Sequence, residues 1–378
     1  MAQKRSLRQL KRKLRAGIGM ARGMLLYPTA WLGWFRPRDD LAAAVADLLL
    51  LGFYGATRAS PSARLLARQV RRRQVGSVFF VEHNVGTLED VKDLVSMMRR
   101  RDAPALLAID QEGGVVQRLG KDHGVSRFQG AKRMVAIKSA DEARHIYEKA
   151  GTDMAGLGFR INMGPVLDLD EPLNPAVGKY GRAFSDDPDC ITDYGLAFVE
   201  GFAKAGVFCA AKHFPGQGKA VSDSHDMPAD VTQTWTEEEL KPYRRLIAMG
   251  RAPDLIMMGH LRVDSIDGSG LPATVSHAIV TDLLRGRLGF EGVIVTDDID
   301  MGAVRTFMDR KEAFIEALAA GNDLIMIKNL FRYDPLLPER AVRWVRRAIA
   351  EGRLTQEQVF ASAEKVRALR RRIQGDGR

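Results

Sequence analysis

The segment GFEGVIVTDDIDM, residues 289–301, decides the predicted fold. Gly289 and Gly292 lie in its first four residues. An apolar run from Val293 to Val295 follows, and then the acidic pair Asp297-Asp298. A short apolar run without polar alternation is typical of a strand that is buried on both faces, as in a parallel sheet. The acidic pair then lies at the carboxyl end of that strand, where parallel α/β folds gather their functional side chains.

Seven further apolar runs share this composition and precede or follow it along the chain. They are Leu48–Phe53, Ser77–Val81, Ala105–Ile109, Ile161–Leu167, Val207–Ala211, Leu255–Met258 and Asp323–Ile327. Amphipathic stretches separate them, among them Leu88–Arg100, Asp141–Met154, Asp193–Ala205 and Arg310–Ala320. Repeated alternation of strand and helix predicts an α/β fold, a (β/α)₈ barrel of the TIM type, with an open doubly wound sheet as the alternative.

The residues that end these runs favour the barrel over the open sheet. At least six runs end in charged, amide or imidazole side chains, namely Glu82-His83-Asn84, Asp110-Gln111-Glu112, Asp168, Lys212-His213, Gly259-His260 and Asp297-Asp298. An open sheet gathers only a few such groups at its switch point, whereas a barrel brings all strand ends to one pocket. The closing patterns Glu339–Glu351 and Thr355–Arg372 are helical. We therefore predict a single catalytic domain over residues 41–378.

The formal charge of the chain is concentrated at its amino-terminal end. Residues 1–38 contain ten basic side chains and no acidic one, which equals the whole formal excess of +10. The rest of the chain is formally neutral, and this argues against a nucleic-acid enzyme, whose basic surface would surround its site. The two cysteines cannot build a disulfide framework.

Residues 1–40 have the pattern of a basic amphipathic extension. Apolar residues recur at three- and four-residue steps, at Leu7, Leu10, Leu14, Ile18, Ala21 and Leu25, and Trp31, Trp34 and Phe35 follow them. Such a helix can lie on an anionic membrane surface, and a solvated extension is the equally weighted alternative. The sequence has no long apolar run and no convincing cleavage site. We therefore expect a cytoplasmic protein, and peripheral binding to the inner membrane is the further hypothesis.

The loop KHFPGQG, residues 212–218, is followed by Asp223-Ser224-His225. Residues two apart on an extended backbone lie on the same side of the chain, which brings the Asp223 carboxylate beside the His225 imidazole. A carboxylate partner fixes the tautomer of an imidazole and raises its basicity, so His225 suits an acid or base near neutral pH. A surface pair beside a turn is the alternative.

Asp297 is the second candidate for chemistry. A carboxylate at a strand end can act as a metal ligand, a base, or a nucleophile toward an anomeric carbon. Asp297, Asp298 and Asp300 resemble the start of a calcium loop, but no glycine or glutamate follows at the required positions, so we predict no metal site. Asp298 or Asp300 also fits an acidic cluster before a helix, favoured by its dipole.

Several ordered motifs between about residues 45 and 330 resemble glycoside hydrolase family 3, in its single-domain β-N-acetylhexosaminidase branch. They are Asp110-Gln111-Glu112-Gly113-Gly114, Asn162–Asp168, the Lys-His-Phe-Pro-Gly loop, Asp223-Ser224-His225, Pro272-Ala273 and Thr296-Asp297-Asp298. The resemblance implies Asp297 as the nucleophile that forms a covalent glycosyl-enzyme, His225 as the acid/base, and Asp223 as the partner of His225. By the same resemblance, Asp110, Arg182, Lys212 and His213 contact the sugar.

The function that this resemblance implies is a retaining exo-glycoside hydrolase without a cofactor. It would release terminal β-linked N-acetylhexosamine, in the first place N-acetylglucosamine, from an oligosaccharide or glycoconjugate such as a cell-wall component. Four positions depart from the pattern of the family, at Val115, Gln217, Lys219 and Pro228. A hydrolase of another β-sugar, a β-glycoside phosphorylase and an impaired carbohydrate-binding protein at a membrane surface are therefore kept as alternatives.

Overall fold

The computed structural model describes residues 39–98, 105–220, 222, 229–330 and 332–375. Eight parallel strands in these residues follow one another around a barrel. They are β1 (Leu49–Leu51), β2 (Ser77–Phe80), β3 (Leu106–Ile109), β4 (Ile161–Asn162), β5 (Phe208–Phe214), β6 (Leu255–Met258), β7 (Val293–Thr296) and β8 (Ile325–Ile327). The ring closes where β1 pairs with β8 and where Val295 bridges to Leu324 beside β8. The predicted (β/α)₈ barrel is confirmed.

The helices surround the barrel and are listed here in chain order. They are α1 (Asp40–Asp47), α2 (Pro61–Arg71), α3 (Leu88–Met97), α4 (Ala131–Ile137), α5 (Ala140–Leu157), α6 (Pro188–Lys204), α7 (Lys241–Ala248), the π-helix α8 (Ala278–Arg287), α9 (Gly302–Arg305), α10 (Arg310–Ala320), α11 (Leu337–Ala350) and α12 (Gln356–Gln374). Single 3₁₀ turns form at Glu82–Asn84, Lys121–His123, Gly178–Tyr180, Glu237–Leu240 and Ala273–Val275. No helix among the described residues is long and apolar enough to cross a membrane.

Side chains alternate along each strand between the inside of the barrel and the surrounding helices. On β7, Val293 and Val295 belong to the inner cluster, whereas Ile294 packs with helical residues. On β8, Met326 joins the inner cluster and its neighbours Ile325 and Ile327 pack outward. Because side chains of a strand alternate with a period of two, this pattern fixes which residues beyond each strand enter the mouth of the barrel.

Local capping signals determine where a helix begins more closely than the apolar pattern predicts. Helix α6 begins at Pro188, five residues before the predicted start, because the Asp187 side chain accepts the Asp189 backbone N–H and Pro188 suits the first helical turn.

The predicted run Ile161–Leu167 pairs as a strand only at its beginning, and a single bridge joins Val166 to Lys212 further along. Pro165 has no backbone N–H to donate within this stretch.

Helix α12 closes the amino-terminal end of the barrel. Val366 and Leu369 pack with the residues inside the barrel. Arg370 Nη1 lies 2.7 Å from Asp47 Oδ1, just before β1. The amino-terminal end is therefore sealed by packing and ion pairs, and the opposite end carries the loops that hold the predicted site. Residues 1–38 of the predicted extension lie outside the described residues, so that boundary remains a prediction.

Gly52 allows β1 to approach β8 at the mouth of the barrel, and its replacement tests this contact. A Cβ at position 52 would lie 2.7 Å from the carbonyl oxygen of Lys328. We expect Gly52→Ala to lower the free energy of unfolding by about 1–3 kcal/mol, the usual cost of overpacking. Urea denaturation measures this change.

Gly156→Ala in α5 is the matched control, because a Cβ there meets no described atom within 4 Å. It should leave stability unchanged or raise it by about 0.5–1 kcal/mol through helix propensity. Equal stabilities of Gly52→Ala and the unmodified protein would contradict the predicted close contact.

Candidate active site

The alternation of inner and outer side chains brings four residues to the carboxyl-terminal mouth of the barrel. Asp110 follows β3, Lys212 lies on β5, Asp297 follows β7 and Lys328 follows β8. Each has the same parity as the inner residues of its own strand, such as Ala108 for Asp110 and Ala210 for Lys212. The candidates Asp110, Lys212 and Asp297 therefore share one end of the barrel, as the sequence predicted.

A network of buried charges connects three of the predicted sugar contacts. Lys212 Nζ lies 3.0 Å from Asp110 Oδ1 and 2.6 Å from Glu112 Oε1. Arg182 holds the same Glu112 with two parallel hydrogen bonds of 2.8 Å each. Arg118 Nη2 completes the set 3.3 Å from Asp110 Oδ2. A bidentate interaction with a carboxylate fixes both the position and the plane of the arginine guanidinium group.

These cations determine the protonation of the two carboxylates. Burial by itself would raise the pKa of Asp110, but Lys212, Arg118 and Lys328 outweigh it and hold that pKa well below its usual range. Burial is likewise outweighed at Glu112, where Arg182 and Lys212 lower the pKa to about 2. Both groups therefore stay ionised at neutral pH and can accept hydrogen bonds from a ligand's hydroxyl groups.

His213 is fixed by a carboxylate from the neighbouring strand. Its Nδ1 donates to Asp168 Oδ2 at 2.8 Å, and its backbone N–H donates to Asp168 Oδ1 at 3.1 Å. The backbone N–H of Gln217 donates to the same Oδ1 at 3.0 Å. Asp168 is fully buried, and its hydrogen bonds hold the loop and set the tautomer of the imidazole. This leaves Nε2 of His213 as the ring nitrogen for other contacts.

Glu239 supports the same loop from the other side. It is 1% exposed, and its Oε2 accepts the backbone N–H of Leu169 at 3.1 Å. A Cβ at Gly216 would lie 2.4 Å from the Glu239 Cβ, and one at Gly218 would lie 2.7 Å from its Oε1, so the two glycines let the loop rest on this carboxyl. Burial, and then the charge of Asp168, raises the pKa of Glu239 to about 8.

The two acidic residues that follow β7 have different surroundings. The Asp297 carboxylate accepts the backbone N–H of Asp298 at 2.7 Å, which restrains its rotamer. Asp298 is 1% exposed and its Oδ1 accepts the backbone N–H of Lys328 at 3.0 Å. Burial raises the pKa of Asp298 to about 6 against the lowering effect of Lys328. The sequence prediction that the two carboxylates point apart is consistent with these partners.

Asp300 and His260 have structural roles. Arg310 Nε and Nη2 lie 2.7 and 2.6 Å from the two carboxylate oxygens of Asp300, so a buried ion pair accounts for this residue rather than a helix dipole. His260 is buried and its Nε2 lies 3.0 Å from the carbonyl oxygen of Asp298. Although His260 ends a strand as predicted, its described partners, the Thr274 hydroxyl and the Asp298 carbonyl oxygen, are framework groups.

Two predicted catalytic residues, His225 and Asp223, lie outside the described residues. Conversely, sequence reasoning placed Glu112 and Asp168 at strand ends without giving them a role, and it omitted Glu239 and Lys328. Parity with Leu324 and Met326 is a sequence signal for Lys328, and Asp168 does end a predicted strand. No short-range signal links Glu112 with Arg182 or Glu239 with Leu169, because each pair is separated by 70 residues.

The described part of the site is a polar network at the barrel mouth, and the same mouth receives the restrained carboxylate of Asp297. Asp110 and Glu112 offer ionised acceptors, Lys212 and Arg182 offer fixed donors, and Nε2 of His213 offers a further acceptor. Fixed donors and acceptors of this kind can orient a ligand rich in hydroxyl groups without ordering costs of their own. A carboxylate held beside such a ligand can attack an electrophilic carbon.

A comparison with protein families matches residues 45–369 to the glycosyl hydrolase family 3 N terminal domain. Beta-hexosaminidase A of Pseudoalteromonas piscicida is 31% identical over 82% of this chain and 55% of its own length. Beta-hexosaminidase of Pseudomonas aeruginosa (strain LESB58) is 33% identical over 69% of this chain and 78% of its own length.

Among solved structures, a glycoside hydrolase family 3 beta-N-acetylglucosaminidase from Paenibacillus sp. str. FPU-7 superimposes with a TM-score of 0.80 and 31% identity. The match covers 90% of this chain and 64% of that one. The chain thus spans about half the length of the Pseudoalteromonas relative.

The raised pKa of Glu239 predicts that the free energy of unfolding depends on pH. Between the ordinary glutamate value of 4.5 and about 8, the unfolded chain loses this proton and the folded chain keeps it. The free energy of unfolding contributed by this group therefore falls as pH rises through that window, by up to about 1.4 kcal/mol per unit. Glu239→Gln should remove this fall and be more stable than the unmodified protein at pH 9.

Urea denaturation at intervals from pH 5 to pH 9 measures the effect. Glu238→Gln is the matched control, because this neighbouring carboxylate is exposed and should change the pH profile little. A stability difference between Glu239→Gln and the unmodified protein that does not vary with pH would show that Glu239 titrates normally.

Proposed function

Because the chain belongs to glycosyl hydrolase family 3, we propose that it is a retaining exo-glycoside hydrolase. Its substrate is a terminal β-linked N-acetylhexosamine, in the first place N-acetylglucosamine, at the end of an oligosaccharide or glycoconjugate. The observation that carries the proposal is the polar network of Asp110, Glu112, Arg182 and Lys212 in the barrel mouth that also receives Asp297. The beta-hexosaminidase names of the relatives support the choice of sugar.

In the first step, an oxygen of the Asp297 carboxylate attacks the anomeric carbon and forms a covalent glycosyl-enzyme. Protonated His225 gives its proton to the glycosidic oxygen as the bond to the leaving group breaks. In the second step, neutral His225 takes a proton from water, whose oxygen attacks the same carbon and releases Asp297. Asp223 holds His225 in the tautomer that this sequence requires.

The sugar hydroxyl groups are assigned to the network opposite Asp297. Asp110 and the Nε2 atom of His213 accept from them, while Lys212 and Arg182 donate to them. Since these groups already bind one another, the ligand meets a site that does not have to be assembled. A cell-wall fragment in the cytoplasm is the natural substrate that we propose for this chemistry.

The proposed nucleophile can be tested by trapping. A 5-fluoro N-acetylglucosaminyl donor keeps the 2-acetamido group and slows both steps, and an activated leaving group lets the first step proceed. The glycosyl-enzyme should therefore accumulate on Asp297 and be located by peptide mass spectrometry. Asp297→Asn should form no adduct and lose at least about 1,000-fold in kcat, as expected for loss of a nucleophile.

Asp282→Asn is the control, because Asp282 is an exposed carboxylate whose described partner is His277. It should keep adduct formation and turnover. An adduct on another carboxylate, or turnover by Asp297→Asn near that of the unmodified protein, would overturn the assignment.

We also propose that residues 1–38 bring the protein to an anionic membrane surface. Their ten basic side chains can bind acidic headgroups, and the recurring leucines and the aromatic residues can enter the interface. The full chain should sediment with vesicles of phosphatidylglycerol and phosphatidylcholine at low salt, and less so at 0.5 M salt because screening weakens the attraction.

The truncated chain beginning at residue 39 should stay in the supernatant with the same vesicles, and vesicles of phosphatidylcholine alone serve as the control. Equal sedimentation of the full and truncated chains would contradict the membrane role of the extension.

A further inference from the structure

Lys328 is a charged residue of the barrel mouth to which the proposed reaction gives no role. It follows β8 with the same parity as Leu324 and Met326, two inner residues of the barrel. Its Nζ lies 5.9 Å from the centre of the Phe79 ring, another inner residue, and its side chain is 20% exposed. Lys328 therefore extends into the mouth and remains within reach of a ligand.

The order of strands around the barrel gives Lys328 a defined side of the pocket. Strands β3 and β7 are four positions apart in either direction, so Asp110 and Asp297 lie across the mouth from each other. Lys212 on β5 belongs to one arc between them, and Lys328 after β8 belongs to the other. A sugar bound between Asp110 and Asp297 thus has an ammonium group on each flank, with Lys328 beside the nucleophile's own strand.

The ammonium group of Lys328 lacks a close acceptor among the described residues. The nearest described carboxylate oxygen, Asp298 Oδ2, is 3.9 Å away, beyond hydrogen-bond distance. Asp110 is already bonded by Lys212 and Arg118 at 3.0 and 3.3 Å. A cation that loses its water when a ligand closes the pocket pays a desolvation cost unless the ligand supplies an acceptor.

We propose that Lys328 is a specificity-determining residue that donates a hydrogen bond to the carbonyl oxygen of the sugar's 2-acetamido group. This inference rests on the proposed function, in which Asp297 attacks C1. C2 is bonded to C1, and we place its substituent on the flank of β8, which is a neighbour of β7 and the strand that Lys328 follows. An amide carbonyl is a strong acceptor that extends further from the ring than a hydroxyl group.

The test compares kcat/KM for para-nitrophenyl β-N-acetylglucosaminide and β-glucoside. Lys328→Met should lose roughly 10- to 100-fold on the N-acetylglucosaminide, the range of a charge-assisted hydrogen bond, and change little on the glucoside. Lys328→Arg should recover part of the loss. Lys311→Met is the matched control, since Lys311 is partly exposed and pairs with Glu312 outside the mouth.

Wild-type protein provides a second measurement that does not depend on folding of the variants. Substrates with mono-, di- and trifluoroacetyl groups carry progressively weaker carbonyl acceptors, so kcat/KM should fall along the series. Lys328→Met should respond less steeply if it folds. Equal losses on both glycosides, or a flat series with wild-type protein, would overturn the role of Lys328. Absence of all turnover on N-acetylhexosaminides would instead overturn the proposed function, and this inference with it.

Discussion

The strict alternation of side chains along eight closed parallel strands is the constraint on which the rest of the molecule depends. It divides every strand into residues that fill the barrel and residues that pack on helices, as Val295 and Ile294 do on β7. Toward the carboxyl ends of the strands, positions of the inner parity meet no further core and can carry charge. Asp110, Lys212 and Asp297 occupy these positions, so the register that builds the core also gathers the proposed chemistry.

The charges of the mouth are costly to bury and are therefore satisfied by one another. Lys212 lies between Asp110 and Glu112, and Arg182 covers the far side of Glu112 with two hydrogen bonds. Removing one member would leave an uncompensated buried charge, which is more destabilising than the pair is stabilising. The same interlocking holds donors and acceptors at fixed positions, and a ligand with many hydroxyl groups gains from that preorganisation. Glu239 adds a neutral, protonated support under the loop.

Sequence reasoning reached the features that depend on local pattern. Continuous apolar runs located the eight strands, and the polar residues at their ends located Asp110, Lys212 and Asp297. Features set by tertiary contact were not accessible in this way. Glu112 meets Arg182 across 70 residues, and only folding brings the two together. The sequence analysis does not include Lys328 among the site residues, although Lys328 has the same parity as Met326. A lysine that follows a strand is ordinarily expected to extend its ammonium group into solvent.

The proposed mechanism requires a carboxylate at the end of β7 to form a covalent bond with the sugar and then to be replaced by water. Two displacements at one carbon preserve its configuration, whereas a single displacement by water inverts it. Proton NMR of the sugar first released from para-nitrophenyl β-N-acetylglucosaminide, recorded before mutarotation, reads the outcome directly. Double displacement should release the β-anomer first, and the α-anomer should follow by equilibration. Initial release of the α-anomer would contradict the double displacement.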